Sequence, residues 1–389
     1  MSACRCSAHV AVRLHDTQPD RLQAAQTLDG ASSAHALTSP SSSAAASCDA
    51  PQRPLVATAS VSAEIAAQAT RCLLAEIDTW PKPGLVSHVD SGSHDDMSAD
   101  TFLRSAAALR PFFAELAGAG ARDASMATLR RIGLRAERAM LDATNGVNTH
   151  RGAIFGLGLL CAAAGLRGAS GHVPHRAAAT LGALVAERWG AGILRGPRAI
   201  ASHGECASRR YGVGGARAEA AGGFPSVYTL GVRALADAAQ LAPGNPEAAR
   251  VHACFVLIAG IDDTNLLHRG GLDGLVFAQR TARGFLARGG VGAIDWHARA
   301  VAAHRAFVAR RLSPGGAADL LAMSLFVAAY DGSRLRAAPP TEPPWQTRAN
   351  RQQPERRATV PPPPDRARGA QAGAGVDWRL PHQYTEPSR

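Results

Sequence analysis

Apolar side chains recur at helical spacing from residue 57 to residue 330, and no run alternates apolar with polar as a half-buried strand does. That pattern predicts an all-α fold. Ile65, Ala69, Cys72, Leu73 and Ile77 share one face of a first helix over 57–80, which Pro81 stops. Phe102, Ala106, Leu109, Phe113 and Leu116 line a second helix that starts near Ser98. Leu129, Ile132, Ala136 and Met140 line a third over 126–142, and helical patterns return over 175–194, 272–288, 295–311 and 317–330. Residues 249–262 are apolar nearly all round, which marks a buried helix. The longest apolar run, Ala153 to Leu166, is too short to span a bilayer, and the N-terminus has no signal-peptide apolar region.

The two ends have a different composition. Residues 1–55 are rich in Ala and Ser without a sustained period, and residues 336–389 are rich in Pro, Arg and Gln, including Pro361 to Pro364. Such segments bury too little apolar surface to offset chain entropy and are expected to be disordered. The foldable part is 56–335, enough for a single large multi-helix domain. No Met lies between Met1 and Met97, so the composition shift points to a start near Val56 or Val61 at a non-standard codon. Mass spectrometry of the native N-terminus decides that point.

The formal net charge is +11, and from Arg334 onward ten Arg face five acids. The surplus left in the body suits an anionic substrate. Aromatic and basic residues are not interleaved as in single-strand binders, so no nucleic-acid partner is expected. Seven Cys without CxxC spacing give neither a zinc site nor a disulfide framework and fit a reducing cytoplasm.

Polar residues gather at a few junctions. Asn148, Thr149, His150 and Arg151 stand side by side where a helix begins, and free N–H groups at such an end attract anions. Arg151 adds a fork suited to phosphate. Lys82 is the only lysine, held in the rigid turn Pro81-Lys82-Pro83-Gly84, which would aim a compact ammonium at one point. Glu76 borders the apolar face one turn earlier, as either a buried, paired carboxylate or a rim charge. The polar loop Gly84 to Ser98 holds His88, Asp90, His94, Asp95 and Asp96; helix capping explains one Asp but not His94 with both. Glu137 lies within the third helix, pointing into a site or into water. The segment 203–226 is glycine-rich, with Arg209, Arg210 and Arg217, and reads as a loop whose N–H groups could approach phosphate; it has neither P-loop order nor a preceding strand. Asp262 and Asp263 fall where a helix ends, next to its negative pole, which favours a compensating cation: Arg269 or magnesium.

Taken in order, these motifs resemble the triphosphoribosyl-dephospho-CoA synthase family, whose members make the prosthetic-group precursor of citrate lyase and malonate decarboxylase. The resemblance rests on Pro81 to Val86, Gly92 to Met97, Asn148 to Phe155, Gly212 to Arg217 with Glu219 and Gly222 to Pro225, Asp263 to Gly271, and Leu312 to Leu321. The wording is closer to the malonate decarboxylase branch. Asn145 and Ala218 replace glycines usual in the family.

The resemblance implies that the 2′-hydroxyl of 3′-dephospho-CoA attacks the ribose C1 of ATP, adenine leaves, and the triphosphate stays on the transferred ribose. Such chemistry needs carboxylates near the sugar, a base, cations and magnesium for the phosphates, and a hydrogen bond to adenine. Asp96 and Asp263 are the candidate base and magnesium ligand, in either order, with Glu76, Glu137 and Glu219 in reserve. Lys82, Arg151, Arg217 and Arg269 would hold phosphates. His94, His150 and His268 are candidate donors, and Asn148 and Asn265 would fix ribose hydroxyls. An acyl-carrier or holo-synthase partner is implied; the oligomeric state is left open. Two rivals stand: an all-α magnesium enzyme of prenyl-diphosphate-synthase type, suggested by Asp95, Asp96 and Asp100, and a non-catalytic nucleotide- or carrier-binding module.

Overall fold

The structure, a computed structural model, describes residues 53–197 and 202–336. The two ends expected to be disordered lie almost wholly outside them. Among the described residues there are thirteen α-helices and no strand. The all-α reading therefore holds.

Two helices form the centre. α4 (Arg151–Ala169) is buried along nearly its whole length from Ala153 to Leu166, and α10 (Pro246–Gly260) is buried from Val251 to Ala259. α1 (Arg53–Ile77), α2 (Ala99–Ala121), α3 (Met126–Ala143) and α6 (Leu181–Arg195) pack round α4. α2 comes closest because small residues meet there: a Cβ on Gly120 would strike the backbone of Ala162, and one on Gly165 the backbone of Ala117. α9 (Val232–Leu241) and α11 (Thr264–Ala287) flank α10. α13 (Gly315–Arg336) touches α1, α4 and α10 and so joins the two halves of the core. α5 (Pro174–Ala178) and α12 (Trp296–Ala309) complete the outer layer.

Three expectations change. The glycine-rich segment is mostly helical: α7 (His203–Tyr211) ends at Gly212 with φ 69°, and α8 (Gly215–Ala221) follows. A π-helical turn, Val227–Gly231, then leads into α9. Ser202 caps α7 through Glu205 N–H, which helps nine mostly polar residues hold a helix. Secondly, α10 stops at Gly260, so Asp263 is the N-cap of α11 and faces a positive helix end. The dipole reason for a compensating cation is therefore reversed. Thirdly, the helix around the longest apolar run has 19 residues, long and apolar enough to cross a membrane by length and composition alone. Its burial on all sides by other helices accounts for that composition as core.

Candidate active site

Three helix N-termini meet, and carboxylates tie them together. Asp263 Oδ1 accepts the N–H groups of Asn265 at 2.8 Å and Leu266 at 3.3 Å, closing the first turn of α11. Its Oδ2 accepts Ala317 N–H at 2.9 Å, in the first turn of α13. Gly316 lies against the same carboxylate, where a Cβ would sit 3.0 Å from Oδ2. One turn into α13, Asp319 reaches α4 and accepts Ala153 N–H. A Cβ on Gly152 would overlap its Oδ2, so glycine at that position makes room for the carboxylate. The ends of α4, α11 and α13 thus direct their positive poles into one region.

Lys82 closes the floor. Its Nζ lies 2.5 Å from Glu76 Oε1 and 2.5 Å from the Glu76 carbonyl oxygen, with no exposed surface. The turn does aim the ammonium at one point, and that point is Glu76. Burial pushes the Glu76 carboxyl up, and Lys82 pulls it back. Burial also raises Asp263, against four backbone N–H groups that favour its ionised form. Asp319 is raised well above its ordinary value, first by burial and then by the charges of Glu76 and Asp263. On the outer side of the turn His304 Nδ1 lies 2.6 Å from Lys82 O and Nε2 lies 3.1 Å from Asp90. His304 and Asp90 also line a cavity of about 530 Å³ with Trp80 and Arg305.

His150 is the N-cap residue of α4 and is buried. Thr149 donates to Ser105 Oγ at 2.8 Å, and Ser105 Oγ lies 2.7 Å from His150 Nδ1. Ser105 can accept from Thr149 and give its own hydrogen to Nδ1, the arrangement that leaves the imidazole proton on Nε2. Burial, with the charge of Lys82, lowers its pKa to about 3, so the ring is neutral. Nε2 is buried and has no protein partner. A buried donor without a partner invites a ligand atom.

A second cluster lies along the first turns of α11. Arg269 donates to the carbonyls of Ser93 and Arg311, each at 3.2 Å, and approaches His94 Nδ1 at 3.0 Å. His94 Nε2 lies 2.9 Å from Ser313 Oγ. Burial, then Arg269, lowers the His94 pKa. Asp96 stays exposed, 3.6 Å from His94, and Asp95 pairs with Arg311. Asn265 lies beside Gly315. The α7–α8 junction adjoins the same end, because Gly204 and Gly215 both face Thr264. His268 stacks on His203 with ring centres 3.9 Å apart.

Other candidates have partners of a different kind. Arg151 pairs with Glu137, and Asn148 accepts Arg151 N–H at 3.3 Å as a cap of α4. Arg217 donates to the carbonyls of Ile193, Leu194, Gly196 and Pro197, which makes it the cap of the α6 C-terminus. Glu219 accepts Ser226 N–H at 2.7 Å and Ser226 Oγ at 2.9 Å and secures the turn before the π segment. Neither Arg217 nor Glu219 faces the three helix ends through these bonds. Asp319 and Ser105 are the members that sequence reasoning missed. Asp319 stood inside the Leu312 to Leu321 motif, and Ser105 only as a polar residue beside an apolar stripe.

An all-helical body that directs three positive helix ends, with Arg269 nearby, into one region offers a frame suited to an anionic group. The chain belongs to the ATP:dephospho-CoA triphosphoribosyl transferase (CitG) family, whose model matches residues 62–336. It is 38% identical over 274 residues to a probable 2-(5''-triphosphoribosyl)-3'-dephosphocoenzyme-A synthase of Pectobacterium carotovorum, covering 69% of this chain and 89% of the relative. The synthase of Pectobacterium atrosepticum is 39% identical over 275 residues, with the same two coverages. A probable synthase of Pseudomonas aeruginosa strain UCBPP-PA14 is 41% identical over 266 residues, covering 67% and 88%. No solved structure matches the chain.

Proposed function

We propose that the chain transfers the 5-triphosphoribosyl group of ATP to the 2′-hydroxyl of 3′-dephospho-CoA and releases adenine. The observation that carries this reading is the meeting of α4, α11 and α13 at their N-termini around Asp263, Asp319 and the neutral His150. Positive helix ends and Arg269 suit the triphosphate. Carboxylates beside the sugar stabilise the charge that grows on it as the N-glycosidic bond opens. His150 Nε2–H donates a hydrogen bond to the departing adenine, and Ser105 fixes the tautomer that makes this possible.

Magnesium enters with ATP. Among the described residues no three His, Cys, Asp or Glu side chains group closely enough to hold a metal unaided. That fits an ion held mainly by phosphate oxygens and water with one or two carboxylates. Asp263 has both oxygens engaged by backbone N–H groups, so the exposed Asp96 beside Arg269 is the better ligand. The ion would neutralise the phosphates and fix their orientation.

The test is incubation of the full chain with ATP, magnesium and 3′-dephospho-CoA, followed by chromatography. Adenine formed only when dephospho-CoA is present supports transfer. Diphosphate release from an added allylic diphosphate, with no adenine from ATP, would instead point to prenyl-type chemistry, and ATP binding without any product to a binding module. We place the product in the malonate decarboxylase branch, with a holo-synthase or acyl carrier as the next partner and the cytoplasm as the site of action. Loss of this chain from its host should leave the malonate decarboxylase carrier without its prosthetic group; loss on the citrate lyase carrier alone would reverse the branch.

A further inference from the structure

We infer that Asp319 is the catalytic carboxylate that takes the proton from the attacking hydroxyl, an inference that rests on the transfer reaction proposed above. The other acids near the site are already committed: Asp96, beside His94 and Arg269, is the one assigned to magnesium. Glu76 holds Lys82, Asp263 joins two helix ends, and Glu137 holds Arg151. Among the described residues Asp319 accepts a single backbone N–H, from Ala153; its carboxyl is enclosed by protein, while the residue as a whole is only partly buried.

A second observation points to a ligand at the same turn. His150 caps the helix whose third residue bonds Asp319, and its Nε2 is buried without a partner. Nδ1 faces Ser105 on α2, so Nε2 lies on the other side of the ring, within the field of Lys82. A hydrogen-bond donor for the leaving base and a proton acceptor for the attacking hydroxyl therefore flank one helix end. Gly152, between them, leaves the carboxylate room.

The step balances as follows. The hydroxyl O–H bond breaks, its oxygen bonds ribose C1, and its proton passes to an Asp319 oxygen. The C1–N9 bond breaks with its electron pair going to adenine, which takes up a proton from solvent, and Asp319 returns its own to solvent. The charged groups that act on Asp319 are Glu76 on α1 and Asp263 at the start of α11; Lys82, in the turn between α1 and α2, lies against Glu76. Two negative charges and burial make the carboxylate a stronger base than an exposed aspartate.

Asp319→Asn tests the role, because the amide oxygen can still accept Ala153 N–H. The expected result is a kcat for adenine release lowered about 10²- to 10⁴-fold, with unchanged ATP affinity and melting temperature. The acid limb of the wild-type pH–kcat profile should disappear with it. A variant that keeps kcat within threefold overturns the assignment, and so does one whose melting temperature and ATP affinity fall together with kcat, since that marks a structural cap. Wild-type chain that binds ATP yet releases no adenine overturns the reaction itself, a failure visible before any variant is made.

Discussion

The only lysine of the chain lies against Glu76, with Nζ 2.5 Å from Oε1 and both side chains buried. Removing one partner strands the other charge in the core, which costs about 3–5 kcal/mol. Lys82→Met should therefore unfold at markedly lower urea, and Lys82→Arg should also lose stability because the pocket has no exposed margin for a planar fork. The double variant Lys82→Met with Glu76→Leu should recover most of the loss. Denaturation of the four proteins checks this; single and double variants of equal stability would show that the pair is not coupled.

Asp263 supports two helices at once, and this changes what its amide should do. Asp263→Asn places an NH₂ where one carboxylate oxygen now accepts a backbone N–H, either from Ala317 or from the first turn of α11. A donor then faces a donor, and a buried N–H is left unsatisfied at a cost of about 1–3 kcal/mol. The variant should lose stability as well as adenine release. Thermal melting alongside the assay separates the outcomes: lost activity at a wild-type melting temperature would mean that the carboxylate acts on substrate.

The helices were legible because a 3.6-residue stripe survives tertiary packing, as in Leu109, Phe113 and Leu116. The junction after α10 was not. Ile261 and Asp262 bring neither Gly nor Pro, so the sequence does not say whether Asp263 ends one helix or starts the next. Lys82 and Asp263 were legible as special, while the direction of each side chain depended on partners distant in the chain. Asp319 escaped notice because Leu320 and Leu321 made its helix look like core; its relation to Gly152 joins residues far apart in sequence. Arg217 looked like a phosphate ligand because glycines surround it, yet those glycines belong to helix ends.

Arg217 gives a direct way to tell a cap from a ligand. Its guanidinium satisfies carbonyls of Ile193, Leu194, Gly196 and Pro197 at the end of α6. Arg217→Gln should lower stability by roughly 1–3 kcal/mol, as expected when hydrogen bonds from a charged group are lost, and leave the affinity for magnesium-ATP within about twofold of wild type in isothermal titration. A large loss of ATP affinity at unchanged stability would return Arg217 to the phosphate site.

His150 should leave a mark on acid stability, and its sign follows from the direction of the shift. The folded ring titrates near 3, below its ordinary 6.5, because burial and Lys82 disfavour the imidazolium. Between those two values the unfolded chain binds a proton that the folded chain does not. Stability therefore falls as pH drops through this window, by up to about 1.4 kcal/mol per pH unit. His150→Gln removes that proton, so its unfolding free energy, measured in urea at pH 7, 6, 5 and 4, should decline less steeply than that of wild type. The two lines should diverge from parallel below pH 6.5, whatever the constant cost of the substitution. If they remain parallel down to pH 4, the folded imidazole takes up its proton as readily as the unfolded one, and a neutral donor at the end of α4 is not available to the leaving base.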